Sequence, residues 1–284
     1  MLDFKSFKIE RRKNMKIGFV GTGNMASAII KGIIEKGFIK SENIYLFDVM
    51  TDKVTEFSKE IGANVCRSND ELIRSVDVVV LSVKPNIIEK ILNETRELII
   101  EKRPLLISIA AGTPIEKLST FLRSKEEVSI VRVMPNVNAM IGKGAAAVCG
   151  NEFASKEQVS YVKNMFQSLG MAWILPEKDF SNFTALAGSS PAYAYLFIDS
   201  IARAGVKNGL PKDLATQIAA QAVLGSAAMI LESAENPWTL IDRVSSPGGT
   251  TVAGLIALED EGFISTVVKG IDATIIKDIE LNSK

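Results

Sequence analysis

A short apolar run, Lys16-Ile-Gly-Phe-Val20, passes directly into Gly21-Thr-Gly23-Asn24-Met25-Ala26 and then into isoleucines at positions 29, 30, 33 and 34. No other stretch limits the fold as strongly, because few architectures need a strand, a glycine turn and a helix packed so tightly. Gly21 permits the turn, Gly23 lets a pyrophosphate approach the backbone, and Ala26 is small enough for the helix to lie against the strand. The helix start then offers unpaired N–H groups and a positive dipole end to an anion. The stretch predicts a dinucleotide-binding βα unit; a glycine turn in some other βα unit is the plainer alternative.

The chain downstream repeats the strand–helix alternation. Residues 43–47 read as the second strand, with Asp48 at its end. A carboxylate there favours a free ribose 2′-hydroxyl and hence NADH, although the same side chain could cap a helix from Thr51. Residues 77–83 are apolar after Asp77 except for Ser82, as a strand covered on both faces should be. That run leads into Val83-Lys84-Pro85. Ligands bind at strand carboxyl ends, which places this loop beside the cofactor, while a solvated lysine before a proline-started helix is the plainer alternative for Lys84. A further buried strand ends in Ala110-Ala111-Gly112, small residues that admit either a flat ring or close chain packing. Met134-Pro135-Asn136 follows the next strand, and two more strands close the region.

This alternation predicts an α/β protein with an N-terminal doubly wound, Rossmann-type parallel sheet over residues 15–176. Beyond Pro176 no strand is evident, and residues 177–284 read as a C-terminal all-α domain. Residues 1–14 carry basic charge but no apolar core of a secretory signal, so they read as an N-terminal extension. Residues 214–231 are uncharged and reach the length of a membrane span, but Thr216, Gln217, Gln221 and Ser226 interrupt them. Burial against other helices, including those of a second copy, explains them better, so the expectation is a homodimer through the helical domain and no membrane.

Composition excludes several chemistries. The chain has no histidine, which removes Ser-His and Cys-His nucleophiles and histidine-based metal sites. Its two cysteines, Cys66 and Cys149, form no metal-binding pair, so no metal is expected. They fit buried thiols in a reducing cytoplasm. With 33 basic and 33 acidic residues, no global attraction to nucleic acid arises.

A second loop-to-helix start lies at Ser245-Ser246-Pro247-Gly248-Gly249-Thr250-Thr251, followed by helix-forming residues. It suits an anion, most simply a substrate carboxylate, though an interhelical turn with a Ser/Thr cap has the same composition. SSPGGTTVAGLIALE resembles the signature of the pyrroline-5-carboxylate reductases. GFVGTGNMASAI, SVKP, SIAAG, VRVMPN, GSSPAY and GLP stand in that family's order, so the resemblance runs from Met15 to about Lys284. The departures are Val137-Asn138 after MPN, where the family commonly has Thr-Pro, Asp48 where Ser or Thr is common, and Asn236 where His is common.

The resemblance implies reduction of 1-pyrroline-5-carboxylate to L-proline by hydride transfer from NADPH or NADH, by dimers that assemble into larger rings. It implies cofactor contacts at Gly21, Gly23, Asn24, Met25, Ala26, Asp48, Val83, Lys84, Pro85, Ala110, Ala111, Gly112 and Asn136. Ser246, Gly248, Gly249 and Thr250 would hold the substrate carboxylate, and Thr251, the catalytic residue, would reach the ring nitrogen. Reduction of another cyclic imine or of a hydroxy acid, or cofactor binding without chemistry, are the alternatives. The hydroxy-acid enzymes use a lysine in the interdomain helix, and residues 191–203 contain none.

Overall fold

The computed structural model describes residues 15–122 and 127–282, so the extension read at residues 1–14 lies outside the described residues. Eight strands form one sheet: β1 (Ile17–Val20), β2 (Ile44–Phe47), β3 (Asn64–Val65), β4 (Val78–Leu81), β5 (Leu105–Ser108), β6 (Ile130–Pro135), β7 (Gly144–Gly150) and β8 (Gly170–Ile174). Their order is β3-β2-β1-β4-β5-β6-β7-β8. The direction of winding reverses between β1 and β4, which is where an open α/β sheet leaves a crevice for a ligand.

Both sheet faces are covered. Val78 and Val80 of β4 join one core with Phe19, Ile29, Ile30 and Ile33, while Val79 and Leu81 join the opposite core with Leu72, Ile88 and Leu92. This is why β4 reads as uninterrupted apolar sequence. Helices α1 (Asn24–Glu35), α2 (Thr51–Ile61), α3 (Asn69–Ser75), α4 (Pro85–Lys102), α5 (Ile115–Leu122) and α6 (Lys156–Gln167) complete this part.

Strand β7 runs antiparallel to β6, against the expectation of a parallel sheet, and β8 then pairs parallel with β7. The connection from β6 to β7 explains the reversal. It holds only a 3₁₀ turn, Val137–Ile141, and a return to the same sheet end needs about a dozen residues or more.

Arg132 on β6 is 4% exposed and would be costly to bury alone. Its Nη1 donates to Glu177 Oε1 at 2.8 Å, and its guanidinium carbon lies 4.7 Å from the Phe180 ring centroid. The same Glu177 oxygen accepts the Ile115 N–H at the start of α5, at 2.8 Å. Replacing Glu177 by Ala is expected to cost about 3 kcal/mol in urea unfolding, because it leaves the buried guanidinium unpaired. Replacing Arg132 and Glu177 together by Leu should recover part of that loss; equal losses would mean that the pair is not what matters.

The rest of the chain is helical: α7 (Phe180–Phe183), a π-helix (Thr184–Ser189), α8 (Ser190–Lys207), α9 (Lys212–Ser233), α10 (Pro237–Arg243), α11 (Thr250–Asp260) and α12 (Phe263–Asn282). Here α7 is a single α-turn that widens into the π-helix. Helix α10 starts at a proline, and Asn236 Oδ1 caps it by accepting the Trp238 N–H at 2.9 Å. By internal packing the described chain forms two compact units. One runs to Gly188 and regains the chain from Lys277; the other is Ser189–Ile276.

Candidate functional site

In the first unit, strand register brings four loops to one edge. Val20 pairs with Phe47 and with Leu81, and Leu81 pairs with Ser108. The chains leaving β1, β2, β4 and β5 therefore emerge side by side, which gathers Gly21–Ala26, Asp48, Val83–Pro85 and Ala110–Gly112. At about 4.8 Å per strand, the row from β2 to β5 spans roughly 14 Å.

The glycine turn is held from both sides. Gly21 has φ +93°, and a Cβ there would stand 2.7 Å from Val83 Cγ1 and 2.9 Å from Ser82 O. Ser82 Oγ donates to Val20 O at 2.9 Å and to Gly21 O at 2.7 Å. The sequence reading missed Ser82, whose only signal was its place in Ser82-Val83-Lys84-Pro85. Around Gly23 there is no atom within 4 Å of a would-be Cβ, so nothing in the chain itself demands glycine there. Gly23 is also the N-cap of α1 and contributes no side-chain cap, leaving the first-turn N–H groups without a capping side chain. This open cradle fits a pyrophosphate.

Asp48 does more than either sequence expectation. Its Oδ2 accepts from Thr22 N at 2.7 Å and from Thr22 Oγ1 at 3.0 Å, while Oδ1 accepts from Met50 N at 3.0 Å. The carboxylate thus braces the glycine turn against the end of β2. It is not a side-chain cap of α2, whose N-cap is Met50.

Lys84, exposed, is the N-cap of α4 without a side-chain cap bond, and Pro85 is its first residue. Ala110 is buried, Ala111 exposed, and Gly112 has φ +69°. Asn136 is different in kind. Its Nδ2 donates to Ala187 O at 2.9 Å, its Oδ1 accepts from Ala145 N at 3.0 Å, and it is 5% exposed. The side-chain amide is committed to the protein. Cys149 is likewise a structural thiol: burial first, then Glu177, pushes its pKa up to about 12, and burial with Glu71 pushes Cys66 up to about 11.

In the second unit, the loop before α11 is a tight turn. Gly249 N donates to Ser246 O at 2.9 Å, Pro247 occupies the first central position, and Gly248 has φ +69°. That pattern is a type II turn. A Cβ on Gly249 would meet Ser246 O at 2.9 Å, so glycine is needed for the close approach. Gly249 is then the N-cap of α11 with no side-chain cap bond. The hydroxyls of Ser246, Thr250 and Thr251 make no hydrogen bond among the described residues, and all three residues are exposed. An uncapped helix start ringed by unspent hydroxyls can take a carboxylate and can donate to a neighbouring nitrogen.

Comparison with known proteins assigns names to both parts. Residues 177–281 match the family model "Pyrroline-5-carboxylate reductase dimerisation", and residues 16–112 match "NADP oxidoreductase coenzyme F420-dependent". The chain is 36% identical over 267 residues to the pyrroline-5-carboxylate reductase of Escherichia coli, covering 94% of this chain and 98% of that one. It is 38% identical over 263 residues to the enzyme of the same name from Aquifex aeolicus, covering 92% and 95%. Among solved structures it is similar to the Plasmodium falciparum pyrroline carboxylate reductase with NADP bound, with TM-score 0.83, 36% identity and coverage of 95% and 99%. The Coxiella burnetii pyrroline-5-carboxylate reductase gives TM-score 0.89 at 31% identity, covering 94% and 98%.

Proposed function

The chain belongs to the pyrroline-5-carboxylate reductase family, and on that premise we infer that it reduces 1-pyrroline-5-carboxylate to L-proline with a hydride from NADPH or NADH. The observation that carries this reading is the presence in one chain of an open glycine cradle at α1 and of a second uncapped helix start at α11. One suits a dinucleotide and the other a small carboxylate. When bound, the nicotinamide ring supplies the hydride.

The chain's own residues orient and exclude. The α1 N-terminus and Gly23 hold the pyrophosphate, and Asn24, Met25 and Ala26 supply the first-turn backbone. Val83, Lys84 and Pro85 with Ala110, Ala111 and Gly112 line the path to the nicotinamide end. Ser246, Gly248, Gly249 and Thr250 hold the substrate carboxylate, largely through backbone N–H groups. The Thr251 hydroxyl hydrogen-bonds the ring nitrogen, donating to the neutral imine and accepting from its N–H once protonated, and so orients it. A threonine hydroxyl is too weak an acid to do more, and with no histidine in the chain the reaction depends on positioning.

The chain is a homodimer, in keeping with the dimerisation model over its helical part. By length and composition, α9 is the one helix among the described residues able to cross a membrane, yet only Ala215 and Ala219 of it are buried in the single chain. Leu214, Ile218, Leu224 and Leu231 remain exposed there, a surface that a second copy's helices would cover. Dimerisation through this surface, rings built from such dimers and a cytoplasmic location complete the proposal.

The deciding measurement is the initial rate of NADPH and NADH oxidation by purified protein with 1-pyrroline-5-carboxylate, against a control without it. No oxidation by folded, cofactor-binding protein would turn the reading toward another cyclic imine. Asp48 sets a further expectation. A carboxylate at the end of β2 disfavours a 2′-phosphate, so Asp48→Asn should raise the ratio of kcat/KM for NADPH over NADH by about 10-fold. Asparagine retains an acceptor for Thr22, so the turn should survive. An unchanged ratio would leave Asp48 with its bracing role alone.

A further inference from the structure

We propose that Asn136 is a positioning residue, which holds residues 184–189 in π-helical register and thereby sets how Gly188, Ser189 and Ser190 are presented at the substrate side. This rests on the imine-reduction reading above. Three observations converge on it. The segment Thr184–Ser189 is a π-helix between α7 and α8, and π-turns inside helices carry an extra residue that outside contacts must stabilise. Its Ala187 carbonyl accepts from Asn136 Nδ2 at 2.9 Å, while the other end of the same amide and the Asn136 backbone are fixed to Ala145, through Ala145 N at 3.0 Å and Ala145 O at 3.1 Å. Asn136 is 5% exposed, so this clamp is shielded from water.

The segment also lies at the ligand-binding edge of the sheet. A Cβ on Gly188 would come 3.2 Å from Met134 Cε, and Met134 sits near the carboxyl end of β6, beyond the level where Ser108 pairs with Arg132. In an open α/β sheet that is the edge where ligands bind. Ser189, half-buried, has a hydroxyl without a partner among the described residues. If the π-turn closed to an α-turn, one residue would leave the winding. The adjoining residues Gly188 to Ser190 would rotate by about 100° and shift by about 1.5 Å along the axis. The Ser189 hydroxyl would then face a different direction, an effect that Asn136 exerts through the Ala187 carbonyl.

The test is Asn136→Asp, which keeps the shape and the acceptor for the Ala145 N–H but sets a carboxylate against Ala187 O. The expected result is threefold: residues 184–189 become α-helical in a crystal structure of the variant, kcat falls at least 20-fold with 1-pyrroline-5-carboxylate, and the NADPH Kd by fluorescence titration stays within threefold. A retained π-helix overturns the proposal. A Kd raised 10-fold with kcat preserved also overturns it, by making Asn136 a direct cofactor contact. A second variant removes the exposed Leu186 and so takes out the extra residue while leaving Asn136 in place. It should lose kcat to a similar degree with NADPH binding intact, and normal turnover would sink the idea even if the Asp variant failed to fold. Absence of turnover in the unaltered protein would overturn the function reading instead, and the crystal structure of the variant would still decide the register.

Discussion

Replacing Gly170 by alanine should remove about 3–5 kcal/mol of stability, a large share of the 5–15 kcal/mol that a domain typically holds. Gly170 opens β8 with φ +147°, a backbone conformation costly for any residue with a Cβ. An added Cβ would stand 2.1 Å from Gly144 O and 2.4 Å from Gly144 N, its partner in register on β7. Those are backbone atoms, which no side-chain rotation can clear. Retreat is blocked as well, because Gly144 N donates to Leu169 O at 2.8 Å and its own Cβ position lies 2.9 Å from Ala139. Gly142→Ala is the control. Gly142 has φ +68° but nothing within 4 Å, so it should cost only about 1 kcal/mol for the left-handed backbone. Urea midpoints of the two variants measure the difference. Equal midpoints would show that the β7–β8 pairing yields readily to the extra atom.

The contrast between those two glycines also shows where sequence reading stops. Gly21 and Gly23 were legible because a strand, a turn and a helix surround them in one short stretch, and each local rule pointed the same way. Gly144 and Gly170 are needed because two distant positions meet in register, and no local pattern reports such a meeting. Asp48 shows the same limit. Its position at a strand end was readable, but its bond to Thr22 spans 26 residues and its bracing role appears only once β1 and β2 are paired. The reversal of β7 was implicit in the shortness of the 136–143 connection, a constraint that outranks the strand–helix rhythm around it. Register hid Asn136 most fully. The family resemblance implies a cofactor contact at Asn136, and what it leaves out is that the side-chain amide is bonded on both sides to the chain.

Thr251→Ala should slow turnover by about 10- to 1,000-fold, the range seen when a positioned donor to a reacting group is lost. The structure makes this a clean substitution. Thr251 is exposed in the first turn of α11, its hydroxyl bonds to no described residue, and alanine is the better helix former. Stability should therefore not fall, so a loss of rate cannot be blamed on unfolding. The carboxylate site offers a separate readout. Its donors are backbone N–H groups at the helix start, which the substitution leaves in place, so KM should change less than kcat. Thr251→Ser keeps the hydroxyl and should remain within about 10-fold of the unaltered rate. Thr250→Ala, one residue and about 100° around the helix, should act mainly on KM. Equal effects at 250 and 251 would reduce both to shaping the loop. An unchanged rate for Thr251→Ala would remove the hydroxyl from the reaction, and the imine would then have to be oriented by the carboxylate site and the stacked ring alone.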